Sequence, residues 1–472
     1  MNDYAPTTAF TAGTAVASVD APSTSLLTDM YELTMLQGAL ASGTATRRSV
    51  FELFGRGLPA SRRFGVVAGT GRLLDAIEAF TFTPSQIDFL HRTGVVNDET
   101  LDFLRDYRFT GTVRGYAEGE CYFAGSPLLT VEGTFAEACI LETLALSIYN
   151  YDCAVASAAS RMTIAAHGRP CVDFGARRAH EQAAVAAARA SVVGGFVGTS
   201  NLEAGLLYGI PTVGTSAHSF TLLHDSEEDA FAAQVASLGP STTILVDTYD
   251  IATGVERAVK AARAAGGELG AVRLDSGDLV AEAFKVRAQL DALGATSTKI
   301  TVTNDLDEHA IAALGAAPVD SYGVGTKLVT GSGRPTAALV YKLVEREGAD
   351  GTMEEVAKFS SGGKSTVGGR KWAGRTLTSE GTAAEELVVS SSSQDQGLAA
   401  LSEAGARPLQ VLLVDEGRII EEHRGKGALS AAAERHRAAR AELPYDAWRL
   451  SDGESALPTR HVDLDGRSAT RR

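Results

Sequence analysis

The chain is poor in cysteine, has no excess of positive charge and contains no long apolar run. Its 472 residues include 4 cysteines, Cys121, Cys139, Cys153 and Cys171. No metal-binding CxxC pair is among them, and they read as reduced thiols of a cytoplasmic protein. Lys and Arg number 43 against 58 Asp and Glu, a net charge of −15. Such a field attracts neither nucleic acid nor an anionic membrane, nor any anionic small molecule. A phosphate-bearing substrate must therefore be held by local Arg, Lys and backbone N–H groups. No window approaches the roughly 18 apolar residues of a membrane-crossing helix. Residues 1–25 are rich in Ala, Thr, Ser and Pro but lack a basic start and an apolar stretch. They are not a secretory signal, and a disordered arm is expected. The polar tail from about Leu457, ending in Arg471-Arg472, is likewise expected to be solvated. Two nucleotide fingerprints are also missing. Tyr322-Gly323-Val324-Gly325-Thr326-Lys327 lacks the third glycine of a dinucleotide motif. Gly363-Lys364-Ser365 is not a Walker loop, because Lys358 stands where its first glycine belongs.

What is present is a repeating unit. The composition, 44% hydrophobic, suffices for two or more domains with full cores. In the middle of the chain, short β-rich runs alternate with Ala-rich helical runs. Strands are predicted at Cys171–Phe174, Pro211–Gly214, Thr243–Val246, Ala271–Leu274 and Lys299–Val302, with a weaker one at Val319–Tyr322. Helices are predicted near 178–192, 201–208, 253–265, 279–293 and 307–314. This alternation indicates βα units on a parallel sheet. Polar residues collect just past nearly every strand: Arg177, Thr199 and Ser200, Thr215 and His218, Asp247 and Asp250, Arg273 and Asp275, Asn304 and Asp305, and Gly323 to Thr326. A parallel barrel gathers all its strand ends at one mouth, whereas an open sheet uses only a few. An irregular α/β barrel is therefore expected.

The flanks differ. They show a helix from Tyr31 to Leu40 capped by Thr28, a strand from Ser49 to Phe54, and a strand pair around Gly111 to Leu129. Further strands run from Ala337 to Val344 and from Gln410 to Leu413, and a final helix spans about 428–442. The expected layout is a disordered arm over 1–25 and the first part of an α/β sandwich domain over 26–140. The barrel with the active site follows over 141–334. The chain returns to the sandwich over 335–425, with a basic Gly-rich loop, and closes with a helix and polar tail over 426–472.

Chemistry concentrates in the strand-end segments. In Gly214-Thr215-Ser216-Ala217-His218, small residues leave room for a ligand beside the imidazole, although a lone histidine is more often structural. An Asp just past a buried strand needs a partner. Asp250 suits a helix cap. Asp247 sits deeper and suits pairing with an imidazole, whose charged form it would stabilise. Arg273 and Asp275 alternate with Leu274, so both face the barrel interior; a structural ion pair is the plain alternative. Ser276 or Asp278 caps the helix that follows. Closely spaced glycines at Gly323 and Gly325 let backbone N–H groups approach phosphate, though tight turns explain most such pairs.

Taken together and in order, these segments resemble the nicotinate phosphoribosyltransferases, over about Leu26 to Arg375. The resemblance rests on Leu27-Thr28-Asp29-Met30-Tyr31-Glu32-Leu33-Thr34-Met35, Phe51-Glu52-Leu53-Phe54, Asp173-Phe174-Gly175-Ala176-Arg177-Arg178-Ala179 and Gly194-Gly195-Phe196. It extends through Gly198-Thr199-Ser200-Asn201, Gly214 to Phe220, Asp247-Thr248-Tyr249-Asp250 and Val272 to Asp278. It implies the type II phosphoribosyltransferase fold, an α/β sandwich joined to an incomplete α/β barrel, and a head-to-tail homodimer with shared active sites. It implies the first step of NAD salvage from nicotinate. Nicotinate, phosphoribosyl pyrophosphate and ATP, with Mg²⁺, would give the mononucleotide, pyrophosphate, ADP and phosphate. By position, His218 resembles the histidine that ATP phosphorylates, and Asp247 the carboxylate beside it. Asp275 falls with them as a catalytic carboxylate. Phe174 and Tyr31 resemble the aromatics around the pyridine ring, with Tyr31 reaching in from the partner subunit. Arg177 and Arg273 resemble the cations at the substrate anions, and Ser200 and Thr215 fall in substrate-binding segments. Gly323, Gly325 and Thr326 fall where the family binds the 5-phosphate. Lys358, Ser360, Lys364 and Lys371 resemble its basic phosphate loop, in which Gly368-Gly369 replaces a common Pro-Gly. No metal ligand set follows from the sequence.

Three alternatives are weighed. A nicotinamide phosphoribosyltransferase carries an amide-directed Asp in the stretch matching Gly198-Thr199-Ser200-Asn201, and no carboxylate stands there. A non-catalytic metabolite-binding barrel would lack the histidine or a strand-end acid, and neither is missing. An NAD-dependent oxidoreductase needs the absent glycine fingerprint.

Overall fold

The computed structural model describes residues 23–358 and 366–466. The expectations for residues 1–22, for Ser360 and Lys364, and for 467–472 lie outside those residues.

The βα repetition becomes six parallel strands. In spatial order they are Gly198–Thr199, Cys171–Asp173, Ser321–Val324, Lys299–Val302, Ala271–Leu274 and Thr243–Leu245. Between them run the helices Glu181–Val193, Leu202–Tyr208, Glu227–Leu238, Ile251–Ala264, Leu279–Ala292 and Glu308–Ala313. Polar side chains past the strands start several of them. Asn201, Asp250, Asp278 and Asp307 each accept a hydrogen bond from an N–H in the first helical turn. Each satisfies a donor that the helix cannot pair internally. Of Ser276 and Asp278, the cap is Asp278. Along Ala271–Leu274, Val272 and Leu274 lie in the core, while Arg273 between them faces inward.

The strand expected at Pro211–Gly214 reduces to one parallel bridge between Thr199 and Thr212. Pro211 has no N–H, so only its carbonyl (from Thr199 N–H, 3.0 Å) and the N–H of Val213 (to Thr199 O, 2.9 Å) join the ladder. Beyond them the chain leaves the sheet. Between this segment and Thr243–Leu245 the barrel has a seam, which the Gln234 side chain helps to span. Gln234 accepts from Ser216 Oγ at 2.7 Å and donates to Thr243 O at 2.9 Å.

The second layer is a seven-stranded antiparallel sheet drawn from both flanks. Its order is Met353–Glu355, Leu339–Glu347, Arg48–Gly55, Pro127–Thr134, Thr112–Tyr116, Gln410–Asp415 and Arg418–Ile419. Helices Met30–Ala41, Thr70–Glu78, Pro84–Thr93 and Asp98–Arg105 share its core, through residues such as Leu36, Leu74, Leu90 and Leu104. The cap position of the first helix is Asp29 and not Thr28, whose hydroxyl instead bonds Glu32. Of the expected N-terminal arm, Ser25 is fully buried.

Two features depart from the expected two-part plan. Helix Glu142–Ala165 belongs to both cores. Leu144, Ile148 and Tyr149 pack beneath the large sheet, and Val155, Ala159 and Met162 pack against the barrel. A separate four-stranded sheet, ordered Ala406–Pro408, Lys371–Leu377, Ala383–Ser390 and Thr459–Asp463, has its own small core around Trp372 and Leu387. Its last strand corrects the expectation of a solvated tail beyond Leu457. Thr459–Asp463 runs parallel to Ala383–Ser390, Val462 packs on the small core, and Arg460 pairs with Glu385 at 2.7 Å. Among the described residues no helix is long and apolar enough to cross a membrane.

Candidate active site

The barrel mouth is assembled from strand ends, and His218 stands at the seam. It opens the helix His218–Leu223. Its Nδ1 lies 3.0 Å from Thr248 Oγ1. Its Nε2 lies 3.9 Å from Asp247 Oδ1. The Asp247 carboxylate is buried. Its Oδ2 accepts the Asp275 N–H at 2.9 Å and the Ser276 hydroxyl at 2.7 Å. Its Oδ1 has no hydrogen-bond partner among the described residues. A buried carboxylate oxygen left unpaired is costly, and the imidazole is the side chain that stands beside it.

The next stave carries the cationic part. Arg273 donates from Nε to Thr303 Oγ1 at 3.1 Å, and from Nη1 to Thr215 Oγ1 at 3.2 Å and Ser216 O at 3.4 Å. Its guanidinium lies 5.9 Å from the centre of the Phe174 ring, within reach of a cation–π contact. Burial lowers the Arg273 pKa, yet an arginine remains charged. Asp275 approaches Arg273 to 3.9 Å and also accepts from Thr303 Oγ1. Phe174 follows the strand Cys171–Asp173. Arg177 is exposed on the short turn beyond it, near enough to Arg273 to act on its charge. Ser200 donates its N–H to Asp173 O at 2.8 Å.

The remaining predicted residues divide between packing roles and open positions. A Cβ on Gly323 would stand 2.4 Å from Phe174 Cδ2 and 2.6 Å from Thr303 Cγ2. Glycine is required there because the ring lies against the strand, so its first role is to seat Phe174. Gly325 is open by contrast, with its nearest neighbour, Phe174 O, 3.5 Å from such a Cβ, and Thr326 follows at the mouth. Lys371 is not a loop cation. Its Nζ lies 2.8 Å from Glu52 Oε2, and both side chains are buried. It is the first residue of a strand, and the sheet beneath supplies the carboxylate. Lys358 is exposed, with its N–H held by Thr366 Oγ1 at 2.9 Å. Tyr31 stands apart from the mouth, exposed on the first helix. Partial burial and the neighbouring Glu142 carboxylate push its phenol up to about 12.

Four further groups support the site without having been assigned to it from sequence: Thr248, Ser276, Thr303 and Asp173. The Asp173 carboxylate is fully buried and accepts from Gly175 N–H and Thr199 Oγ1, each at 2.7 Å; burial raises its pKa. Small hydroxyls at strand ends carry no periodic signal. An acid closing a buried strand does carry one, and Asp173 could have been found by it. The arrangement presents an aromatic face, a guanidinium with an unused edge, and an imidazole backed by a buried carboxylate. That set can position a flat anionic ring and accept a phosphoryl group. Among the described residues no cluster of three or more His, Cys, Asp or Glu could hold a metal ion by itself.

The model of the nicotinate phosphoribosyltransferase N-terminal domain matches residues 26–150, and that of the nicotinate phosphoribosyltransferase family matches residues 170–361. The chain is 51% identical over 445 residues to nicotinate phosphoribosyltransferase pncB1 of Mycobacterium tuberculosis strain H37Rv, covering 93% of this chain and 95% of that protein. It is 37% identical over 356 residues to the Bacillus subtilis nicotinate phosphoribosyltransferase, covering 74% and 72%. The crystal structure of human nicotinic acid phosphoribosyltransferase superposes with a TM-score of 0.78 at 24% identity, covering 93% of this chain and 98% of that one. At that identity the likeness speaks for the fold alone, and it makes the barrel and sandwich those of the type II phosphoribosyltransferases. With both halves matched in order and half the residues shared with a bacterial relative along nearly its whole length, the chain belongs to the nicotinate phosphoribosyltransferase family.

Proposed function

We propose that this chain transfers the phosphoribosyl group of phosphoribosyl pyrophosphate to the ring nitrogen of nicotinate, releasing pyrophosphate, and that ATP drives the reaction through a phosphate on His218. The observation that carries this reading is the shared mouth. The Phe174 ring and Arg273 stand together in it, and Asp247, with His218 beside it, follows the strand next to that of Arg273. The ring nitrogen of nicotinate needs no deprotonation, so transfer requires positioning and charge stabilisation and no strong base. Phe174 offers the flat face, and Arg273 the partner for the carboxylate. Arg177 is free to meet phosphate, and Gly325 and Thr326 lie where the 5-phosphate is expected. Phosphate on His218 would add negative charge beside the substrate. Mg²⁺ is expected to travel with the substrate phosphates. It is commonly held by one or two carboxylates, and the part-exposed Asp275 and the unpaired Oδ1 of Asp247 would offer them. Bound there, the ion would supply neutralising charge to the departing pyrophosphate.

Nicotinate is favoured over nicotinamide on a structural ground. The carboxylate that touches the Thr199–Ser200 segment is that of Asp173, and both its oxygens are engaged within the fold. It is not available to an amide. We further propose a homodimer with shared sites. Leu27, just ahead of the first helix, and Met30, Tyr31 and Met35 on it are exposed, and Leu202, Leu206, Leu222 and Leu223 are exposed around the mouth. Two apolar faces of this kind suit head-to-tail pairing.

The test is an assay of pyrophosphate release from phosphoribosyl pyrophosphate, with nicotinate or nicotinamide, with and without ATP. Nicotinate is expected to exceed nicotinamide in kcat/KM by at least about thirty-fold, since losing a buried charged contact costs about 2–5 kcal/mol. Comparable values for the two compounds would overturn the assignment of the substrate.

A further inference from the structure

We propose that Thr303 is a positioning residue that keeps Arg273 available to substrate by holding it and Asp275 just out of direct contact. This rests on the reading of Arg273 as the cation that meets nicotinate. Thr303 follows the strand Lys299–Val302 and is buried. A hydroxyl has one hydrogen to give and two lone pairs to offer. Here the hydrogen goes to Asp275 Oδ1, and a lone pair accepts Arg273 Nε–H at 3.1 Å. The direct approach between the two charged groups, Nη2 to Oδ2, stops at 3.9 Å, too long for a hydrogen bond. With Nη1 given to Thr215 Oγ1 and Ser216 O, Nη2 is the end left for a carboxylate. Without the hydroxyl between them, a half-buried Arg and Asp close into a charge-assisted hydrogen bond. Asp275 then occupies Nη2 and offsets the charge that substrate should meet.

The other branch of Thr303 has a separate task. Its Cγ2 stands 2.6 Å from where a Cβ on Gly323 would lie, beside the Phe174 ring. The methyl thus helps to seat the aromatic floor, and the hydroxyl sets the cation. Two substitutions separate them. Thr303→Val keeps the methyl shape and removes the hydroxyl, whereas Thr303→Ser does the reverse.

At saturating phosphoribosyl pyrophosphate and ATP, Thr303→Val is expected to raise the KM for nicotinate by about ten-fold or more, the effect of roughly one lost hydrogen bond to a charged group. Its kcat should change much less. Thr303→Ser should stay within about three-fold of the parent, which a merely structural role would not produce. A crystal structure of Thr303→Val should show Nη2 and Oδ2 drawn from 3.9 Å to hydrogen-bond distance. An unchanged nicotinate KM in Thr303→Val, equal loss in both variants, or an unchanged Arg273–Asp275 separation would overturn the proposal. If the unsubstituted protein transfers nothing to nicotinate, the proposed function fails, and the Arg273–Asp275 distance in the variant still decides the role of Thr303.

Discussion

His218 and Asp247 differ in how firmly the fold holds them. Asp247 is fixed through Oδ2 by a backbone N–H and a hydroxyl, while among the described residues the ring of His218 is tethered through Nδ1 alone, to Thr248. Under the proposed function its Nε2 would be the nitrogen that attacks phosphorus, with Asp247 Oδ1 3.9 Å away. Removal of the ring should leave transfer slow but present, because Phe174 and Arg273 remain in place. His218→Ala is expected to retain ATP-independent transfer and lose the linked ATP hydrolysis. Asp247→Asn keeps the shape and loses the charge, so phosphorylation should slow while transfer persists. Mass spectrometry after incubation with ATP should find an acid-labile phosphate on His218, and less of it in the Asp247 variant. Phosphate on another residue, or coupled hydrolysis surviving in His218→Ala, would show that the energy enters elsewhere.

At the scale of elements, what could be read beforehand was what repeats. Five of the barrel strands were legible because buried β-rich runs end at polar residues, and four of the helices because an Asp or Asn begins them, as at Asp250 and Asp278; the two-residue strand Gly198–Thr199 and the helix Glu227–Leu238, capped by Ser226, were not. The polar strand ends that mark the mouth were legible for the same reason. Single contacts across long sequence separations were not. Gln234 spans the barrel seam from the middle of a helix, Lys371 meets Glu52 from another sheet, and Thr459–Asp463 is held mainly by a backbone ladder. None of these leaves a periodic trace. The closing helix, Gly425–Ala441, has another such contact. His436 is buried, with Nε2 2.8 Å from Ser160 Oγ and Nδ1 3.2 Å from Gly119 O. Burial, assisted by Arg440, lowers its pKa to about 3. The folded pKa lies below the unfolded value of about 6.5, so the neutral ring contributes its full stability above that value. The contribution shrinks as pH falls toward 3. Between pH 7 and pH 5 the loss from this residue should reach about 2 kcal/mol. Urea unfolding at the two pH values should therefore show a smaller drop in His436→Gln than in the parent. Equal drops would mean that the helix tolerates the charged ring.

At the scale of the molecule, Tyr31 stands beside Glu142, apart from the mouth of its own chain. If it completes the ring pocket of a second copy, Tyr31→Ala and His218→Ala subunits should each be impaired alone and recover activity when mixed, since one composite site then carries neither change. No recovery despite demonstrated subunit exchange would place Tyr31 outside the site. Within one subunit, the helix Glu142–Ala165 imposes a constraint of another kind. Its early turns are set by the large sheet and its later turns by the barrel. Each residue advances a helix by about 100°. One residue inserted between Ile148 and Val155 would therefore swing every later side chain through more than a quarter-turn and carry Val155, Ala159 and Met162 off the barrel. The surface loops can lengthen or shorten a residue at a time. This stretch cannot, because its length is locked to the phase of the two cores it joins.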